Sequence, residues 1–109
     1  MRVIAVTGEL DIATAPQLCV ELDAVRSARR PRVLVDLTGL TFCDSTGLRA
    51  LMGAAREVRA HGGQFAIVCP PSGGVARLLE IVGASEWMVV HPDGQSGLAA
   101  LVSRLPPAA

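Results

Sequence analysis

The segment TFCDSTGLRALMGAA, residues 41–55, carries the side chains of this chain that are best suited to chemistry or to recognition. Ser45 stands between Asp44 and Thr46, where an apolar run typical of a strand gives way to a run typical of a helix. A serine hydroxyl in such a turn can act as a nucleophile, cap the helix or accept a phosphate group. The elements around the turn determine which of these roles is open to it.

Apolar periodicity divides the chain into alternating strands and helices. Strands are predicted at residues 3–7 (VIAVT), 33–37 (VLVDL), 64–69 (QFAIVC) and 87–90 (WMVV), and ELDIA (9–13) is predicted to be a loop. The predicted core stripes of four helices are Leu18, Leu22 and Val25; Leu48, Leu51, Met52, Ala55 and Val58; Val75, Leu78, Leu79 and Val82; and Leu98, Leu101, Val102 and Leu105. We therefore expect one α/β domain over residues 1–109, with a small mixed, largely parallel sheet of about four strands and four helices packed on it.

Polar residues and glycines set the expected helix ends. Thr14, with Gln17 three residues later, has the spacing of a capping box for the first helix. Ser45 lies at or beside the N-cap of the second helix, which is expected to run to His61, where HGG supplies a glycine for a left-handed C-cap. The third helix is expected to follow PPS and to close at Gly83.

Composition and charge exclude several classes of protein. Half of the 109 residues are hydrophobic and 18% are charged, which is typical of a globular domain. Ten Arg and no Lys balance ten acidic residues, and only three residues are aromatic, so nucleic-acid binding is not expected. No apolar run is long enough to cross a bilayer and no signal peptide is recognisable, so we expect a cytoplasmic protein that is not in a membrane.

The three cysteines, Cys19, Cys43 and Cys69, lie far apart, with no CxxC pair and no nearby His. We expect reduced, buried thiols, no metal site and no cofactor.

In open α/β sheets, functional groups collect on the loops that follow the carboxyl ends of the strands. Here those loops are GELDIAT, TGLTFCDSTG and PPSGG, so Asp11, Asp44, Ser45 and Thr46 are expected at one edge of the molecule. On spacing alone, the favoured role of Ser45 is that of a helix N-cap.

A catalytic nucleophile is the weakest of the three roles. The nucleophile elbow requires G-x-S-x-G, and Cys43 occupies the first glycine position. His61 lies at the far end of the same predicted helix and His91 follows the last predicted strand, so neither is placed to take a proton from Ser45. The segment PPSGGVAR has no Lys and is a poor phosphate-binding loop. We expect no enzymatic activity.

Three stretches, VTGELDIATAPQL, RVLVDLTGLTFCDSTGLRALMGA and GGQFAIV with RLLEIVGASEWMVVHPD, together resemble a STAS domain of the anti-sigma factor antagonist family over essentially the whole chain. The D-S-x-G-L turn is the most specific element. The resemblance implies a bacterial switch protein that binds an anti-sigma factor and frees a sigma factor for transcription. It also implies that the anti-sigma factor is a serine kinase that binds ATP and phosphorylates Ser45, which switches binding off, and that a phosphatase reverses the modification.

Other positions follow from the resemblance with less force. Asp11 of the GELD turn and the strand-end Asp36 lie near the phosphorylated loop in the family, and either loop hydrogen bonding or partner contact is open to both. Family members usually have a further strand before GELD. Here it is expected to be missing, which leaves a four-stranded sheet with an exposed edge.

The face of the second helix opposite its core stripe carries Arg49, Gly53, Arg56 and Ala60, and both a solvated face and a docking face remain open. A phosphate on Ser45 would stand one turn before Arg49, within reach of its guanidinium. The predicted partner-binding residues are Asp11, Asp44, Ser45, Thr46, Gly47, Arg49, Gly53 and Arg56. The alternative function is a STAS subunit of a lipid-transport or stress-sensing complex that is not phosphorylated.

Overall fold

The computed structural model describes residues 2–23, 29–81, 83 and 89–103. The elements, in chain order, are β1 (Arg2–Ala5), β2 (Gly8–Leu10), α1 (Ala15–Asp23), β3 (Arg32–Asp36), β4 (Leu40–Cys43), α2 (Ser45–Ala60), β5 (Gln64–Val68), α3 (Gly74–Ile81), β6 (Val89–His91) and α4 (Gly94–Ser103). The predicted core residues Val25, Val82 and Leu105, residues 87 and 88 of the last predicted strand, and the side chains of Leu101 and Val102 lie outside what is described.

Two parallel sheets make up the strand framework. The main sheet has four strands in the order β1-β3-β5-β6, and β2 pairs with β4 in a second sheet. Every one of these pairings is parallel. The predicted α/β fold, with four helices and a mainly parallel sheet of four strands, is confirmed.

The prediction of a loop at ELDIA is wrong at its start, because Glu9 and Leu10 belong to β2. In the register of the second sheet, Glu9 pairs with Phe42 and Leu10 with Cys43. A three-residue strand that begins with Gly8 and Glu9, residue types depleted in strands, gives no periodic signal in the sequence.

The second sheet continues the β1–β3 pair past the carboxyl ends of those strands. The Val6 amide donates to the Asp36 carbonyl at 2.9 Å, and the Gly8 amide donates to the Gly39 carbonyl at 3.0 Å. The two chain segments thus stay paired from the main sheet into β2 and β4. The loops after β2 and β4 are therefore held side by side at one end of the molecule.

Alternate residues of the central strands face opposite helical layers, as expected for strands buried on both sides. One face packs with α1 and α2, through buried residues that include Val33, Val35, Phe65, Ile67, Leu18, Leu22 and Leu51. The other face carries Leu34, Ala66 and Val68, against which α4 lies. In the predicted stripe of α2, Leu48, Leu51, Ala55 and Val58 are buried and Met52 is half-buried.

Leu98 is the one member of the predicted α4 stripe whose side chain is described, and it is more exposed than predicted. Leu98 is 39% exposed, whereas Gly97 is buried. A Cβ atom on Gly97 would lie 2.9 Å from both Leu34 Cδ1 and Val68 Cγ2. The absence of a side chain at Gly97 lets the helix backbone approach the sheet closely.

The helix ends confirm one expected cap and correct another. Gly62 follows α2 with φ of +74°, and its amide donates to the Arg59 carbonyl at 2.9 Å, as a glycine C-cap requires. The capping box at Thr14 is not formed. The Thr14 hydroxyl accepts from the Asp11 amide at 2.9 Å and lies 2.8 Å from the Glu9 carbonyl, so it serves the preceding loop.

Strand β1 lies at an edge of the main sheet, and β3 is its one partner among the described strands. No helix in the described ranges is both long enough and apolar enough to span a bilayer.

The cysteines differ in accessibility. Cys43 and Cys69 are buried, but Cys19 is exposed on α1, so the prediction of a buried thiol is wrong there. Cys19 stands beside Leu18 on a helix of which one side alone packs inward. Burial, with contributions from the Asp44 carboxylate and Cys69, raises the pKa of the Cys43 thiol to about 11, and burial also raises the pKa of Cys69.

Alkylation of the native protein by iodoacetamide at pH 8 is expected to modify Cys19 at least about a hundredfold faster than Cys43, because the thiolate is the reactive species. With a pKa of about 11, Cys43 is ionised to about one part in a thousand at this pH, and it is also buried. Mass spectrometry of timed samples measures the rates, and unfolding in guanidinium chloride should expose all three thiols. Equal rates at Cys19 and Cys43 in the native protein would contradict this arrangement.

Candidate functional site

The pairing of β2 with β4 brings two loops together. Leu10 and Cys43, the last residues of these strands, are register partners and both are buried. The amide of Asp44 donates to the Leu10 carbonyl at 3.2 Å, so the chain leaves β4 directly beside the end of β2. Asp11, which follows Leu10, is therefore brought to the same end as the predicted site residues Asp44, Ser45 and Thr46.

Asp44 is the N-cap of α2. Its backbone is extended, with φ −98° and ψ −174°, and its carboxylate Oδ1 accepts from the Gly47 amide at 2.9 Å. Ser45 lies beside the N-cap, one of the two expected positions, and the favoured interpretation that it is itself the cap is wrong by one residue. Asp and Ser are about equally good caps, and spacing does not separate them. The Asp44 charge also interacts favourably with the positive end of the helix dipole.

Ser45 is the first residue of α2 and is exposed, whereas Thr46 is half-buried. In the part of the chain that the structure describes, no group hydrogen bonds to the Ser45 hydroxyl. Because Asp44 provides the cap, the hydroxyl is not required for the start of the helix. It is an accessible group at the positive end of a 16-residue helix.

Gly47 allows the start of α2 to lie against the end of β2. A Cβ atom at this position would stand 2.3 Å from the Leu10 carbonyl oxygen and 2.8 Å from Leu10 Cγ. Contacts this short do not occur for real side chains, and the backbone oxygen cannot swing away. The glycine of the D-S-x-G turn is thus a packing requirement of the two loops.

The carboxylates of Asp11 and Asp36 hold the turns in which they lie. Asp11 Oδ1 accepts from the amides of Ala13 at 3.0 Å and Thr14 at 3.1 Å, and Asp36 Oδ1 accepts from the Thr38 amide at 2.9 Å. Both residues are half-buried. Each carboxylate therefore has a structural role in its turn.

The outward face of α2 is unpaired within the described ranges. Arg49, Gly53, Arg56 and Ala60 are all exposed. Arg49 and Arg56 form no hydrogen bond or ion pair with any residue that the structure describes, in contrast to Arg2, which pairs with Glu21 at 2.6 Å. A Cβ atom on Gly53 would have nothing within 4 Å, so local packing does not require this glycine.

Two exposed apolar side chains that the sequence analysis did not single out flank the loops. Phe42 is 49% exposed on β4, and Ile12 is 76% exposed in the loop after β2. Periodicity gave no signal for Phe42, because buried Leu40 and Cys43 enclose two consecutive exposed residues, Thr41 and Phe42, and the alternation of a strand is broken.

Neither of the two histidines is placed to activate Ser45. His61 lies just past the opposite end of α2, about 24 Å away at the rise of an α-helix, and its Nδ1 atom is 2.9 Å from the Glu57 carbonyl. His91 ends β6, at the edge of the main sheet opposite β1, and lines a cavity of about 340 Å³ beside Cys69 and Leu79. The arrangement offers an accessible hydroxyl, and neither histidine is placed to act as its general base.

The sequence profile described as "Mlab, STAS domain" matches residues 2–91. Among curated proteins, the chain is 28% identical over 100 residues to the anti-sigma F factor antagonist of Paenibacillus polymyxa, covering 91% of this chain and 85% of that protein. It is 32% identical over 83 residues to the anti-sigma-B factor antagonist of Listeria monocytogenes, covering 76% of this chain and 72% of the relative.

The fold is also similar to the crystal structure of an anti-sigma factor antagonist from Mycobacterium paratuberculosis, with a TM-score of 0.79 and 28% identity over 92% of this chain and 84% of that one. The chain belongs to the STAS-domain family of anti-sigma factor antagonists. Membership of this family places it among binding proteins and not among enzymes.

Replacement of Gly47 by Ala is expected to destabilise the protein by about 1–3 kcal/mol, because the added methyl group overlaps a backbone carbonyl of β2. Gly53 on the same helix is the matched control. Its replacement by Ala meets no atom and should stabilise the protein by about 0.5–1 kcal/mol through helix propensity. Urea unfolding of the two variants measures both effects. Changes of the same sign would contradict the close approach at Gly47.

Proposed function

We propose that the unphosphorylated chain binds an anti-sigma factor that is also a serine kinase, that this binding frees a sigma factor for transcription, and that phosphorylation of Ser45 switches it off. The observation that carries the proposal is the accessible Ser45 hydroxyl beside an N-cap that Asp44 already provides. The named relatives are antagonists of anti-sigma factors, which supports the same class of partner here. Because such a partner acts on transcription, a cytoplasmic location is part of the proposal.

The reaction at Ser45 needs a partner to supply the catalytic groups. In the transfer, the γ-phosphate of ATP bound to the kinase forms a bond to Ser45 Oγ, ADP leaves, and a base of the kinase accepts the hydroxyl proton. The half-buried Thr46 is less accessible to the same active site. A phosphatase would restore the hydroxyl by transferring the phosphate to water.

The fold is expected to tolerate the phosphate. Phosphorylation adds a charge of about −1.5 to −2 beside Asp44. The N-terminus of α2 favours an anion by about 0.3–1 kcal/mol, which offsets part of the repulsion between the two acidic groups. The loop therefore has no strong electrostatic reason to rearrange.

An interface over the loop is much less tolerant. A partner packed against Ser45 would have to bury a hydrated dianion, and incomplete compensation of several kcal/mol corresponds to a loss of affinity of more than about a hundredfold. The proposed switch is therefore a local exclusion of the partner.

The outward face of α2 fits a docking role in the same interface. Arg49 and Arg56 offer exposed cations, and Gly53 between them permits close approach of a partner backbone. Arg49 stands one turn after Ser45, so a phosphate there is able to draw its guanidinium away from the partner. Asp11, Asp44 and Thr46, which are half-buried, border the same surface and belong to the proposed partner-binding set. Gly47, also predicted to bind the partner, is buried and supports the surface through the packing of the turn.

The switch is tested with each serine-kinase anti-sigma factor of the same genome, purified and incubated with labelled ATP and the chain. We expect one phosphate, on Ser45, and none on a Ser45→Ala variant. By calorimetry with non-hydrolysable ATP, Ser45→Ala should bind like the wild type, and Ser45→Asp should bind at least about tenfold more weakly because its charge meets the buried interface. Thr46→Ala is the control, and it should still be phosphorylated.

Equal affinity of the wild type, Ser45→Ala, Ser45→Asp and the phosphorylated protein would overturn the switch. That result would favour the alternative of a STAS subunit in a lipid-transport or stress-sensing complex, in which the turn is a docking surface alone.

A further inference from the structure

The outward side of the β2–β4 sheet carries an exposed aromatic ring next to the Ser45 loop. Leu10 and Cys43 form the inward register pair of this sheet and are buried, whereas Glu9 and Phe42 form the preceding pair and are exposed. Phe42 precedes Ser45 by three residues. The ring therefore borders the surface on which the proposed switch acts.

Phe42 is much more exposed than the other phenylalanine of the chain. Phe65, the other phenylalanine, is 5% exposed in the core, whereas Phe42 is 49% exposed. Ile12, in the loop after β2, is 76% exposed. Phenylalanine side chains bury about 150–250 Å² when covered, and aromatic anchors of this kind carry much of the binding energy of protein interfaces. Ile12 and Phe42 are together called the apolar flank below.

The two chain segments that carry the apolar flank contain charged residues of one sign. Residues 8–14 and 40–48 contain Glu9, Asp11 and Asp44 and no cationic residue. The cations begin one turn later, with Arg49 and Arg56 on the outward face of α2. A complementary surface thus has an apolar cleft edged by Lys or Arg opposite the flank, and acidic groups opposite α2.

We propose that the apolar flank is the anchor by which this chain docks on the anti-sigma factor, with Glu9 selecting a partner whose cleft is edged by cations. The inference rests on the proposed function, because the occupant is the anti-sigma factor inferred there. Phe42 lies on β4 three residues before Ser45, and the β2–β4 pairing holds the loop with Ile12 beside the Ser45 loop, so an anchor seated at Phe42 brings the partner over Ser45. A phosphate at Ser45 then lies at the rim of the apolar contact, where removal of its hydrating water has a high cost in free energy.

The test is calorimetry with the anti-sigma factor that phosphorylates Ser45. Phe42→Ala is expected to weaken binding by about thirtyfold or more, and Ile12→Ala by about threefold to tenfold. Ile81→Ala is the matched control, since Ile81 is 71% exposed on α3 and should change affinity by less than about threefold. Glu9→Gln should slow association and reduce its dependence on salt. Phe42→Leu keeps an apolar side chain on β4 and should retain more affinity than Phe42→Ala.

The outcomes separate this inference from the proposed function. If phosphorylation abolishes binding while Phe42→Ala and Ile12→Ala bind like the wild type, the flank is not the anchor and the switch stands. If Phe42→Ala weakens binding while phosphorylation does not, the anchor stands and the switch falls. Failure of every serine-kinase anti-sigma factor to bind the wild type overturns both. Equal losses for Phe42→Ala and Ile81→Ala also overturn the anchor, since any exposed apolar residue would then have the same effect.

Discussion

The carbonyl group of Leu10 is the point on which the site depends. Its oxygen accepts a hydrogen bond from the Asp44 amide. The same oxygen lies 2.3 Å from the position that a Cβ atom on Gly47 would occupy. One backbone group therefore fixes both the exit of β4 and the start of α2 against the end of β2. The loop carrying Ser45 is held in place by backbone contacts, which change little when an exposed side chain is modified.

The residues that hold the turn in place differ from the residue that is proposed to be phosphorylated. Asp44 caps α2, and Gly47 lets the start of α2 lie against the end of β2. The side chain of Ser45, between them, has neither of these structural roles. Because the capping hydrogen bond is made by Asp44 Oδ1 and not by Ser45 Oγ, a phosphate on Ser45 leaves that hydrogen bond in place.

The sequence predicted the main features of the fold because they rest on strong periodic signals. The buried strands around Val35 and Ile67 are nearly continuous apolar runs, and α2 has a clear stripe that ends at a glycine cap. The sequence did not reveal β2 or β4, which lie in segments predicted as loops and become strands through their pairing with each other. Nor did it reveal that Gly97 faces the sheet, since pattern analysis favours large apolar residues such as Leu98 and overlooks close backbone packing.

Prediction of the site from the sequence had a similar limit. The loops were expected at one end, and Asp11 and Asp44 do lie there, but a cap assignment depends on backbone angles that composition does not encode. The exposed position of Phe42 was also not predicted, because TGLTFCDSTG was assigned to a loop and the strand β4 within it was missed.

The central claim is that phosphate at Ser45 excludes the partner without altering the fold, and paired measurements on the phosphorylated and unmodified protein test it most directly. The free energies of unfolding, from urea titrations at the same ionic strength, should agree within about 1 kcal/mol, because attraction to the α2 N-terminus and repulsion from Asp44 partly cancel. Affinity for the anti-sigma factor should fall by more than about a hundredfold in the same samples. A loss of α2 amide protection on phosphorylation, or a stability change large enough to account for the lost affinity, would contradict local exclusion and require a conformational switch.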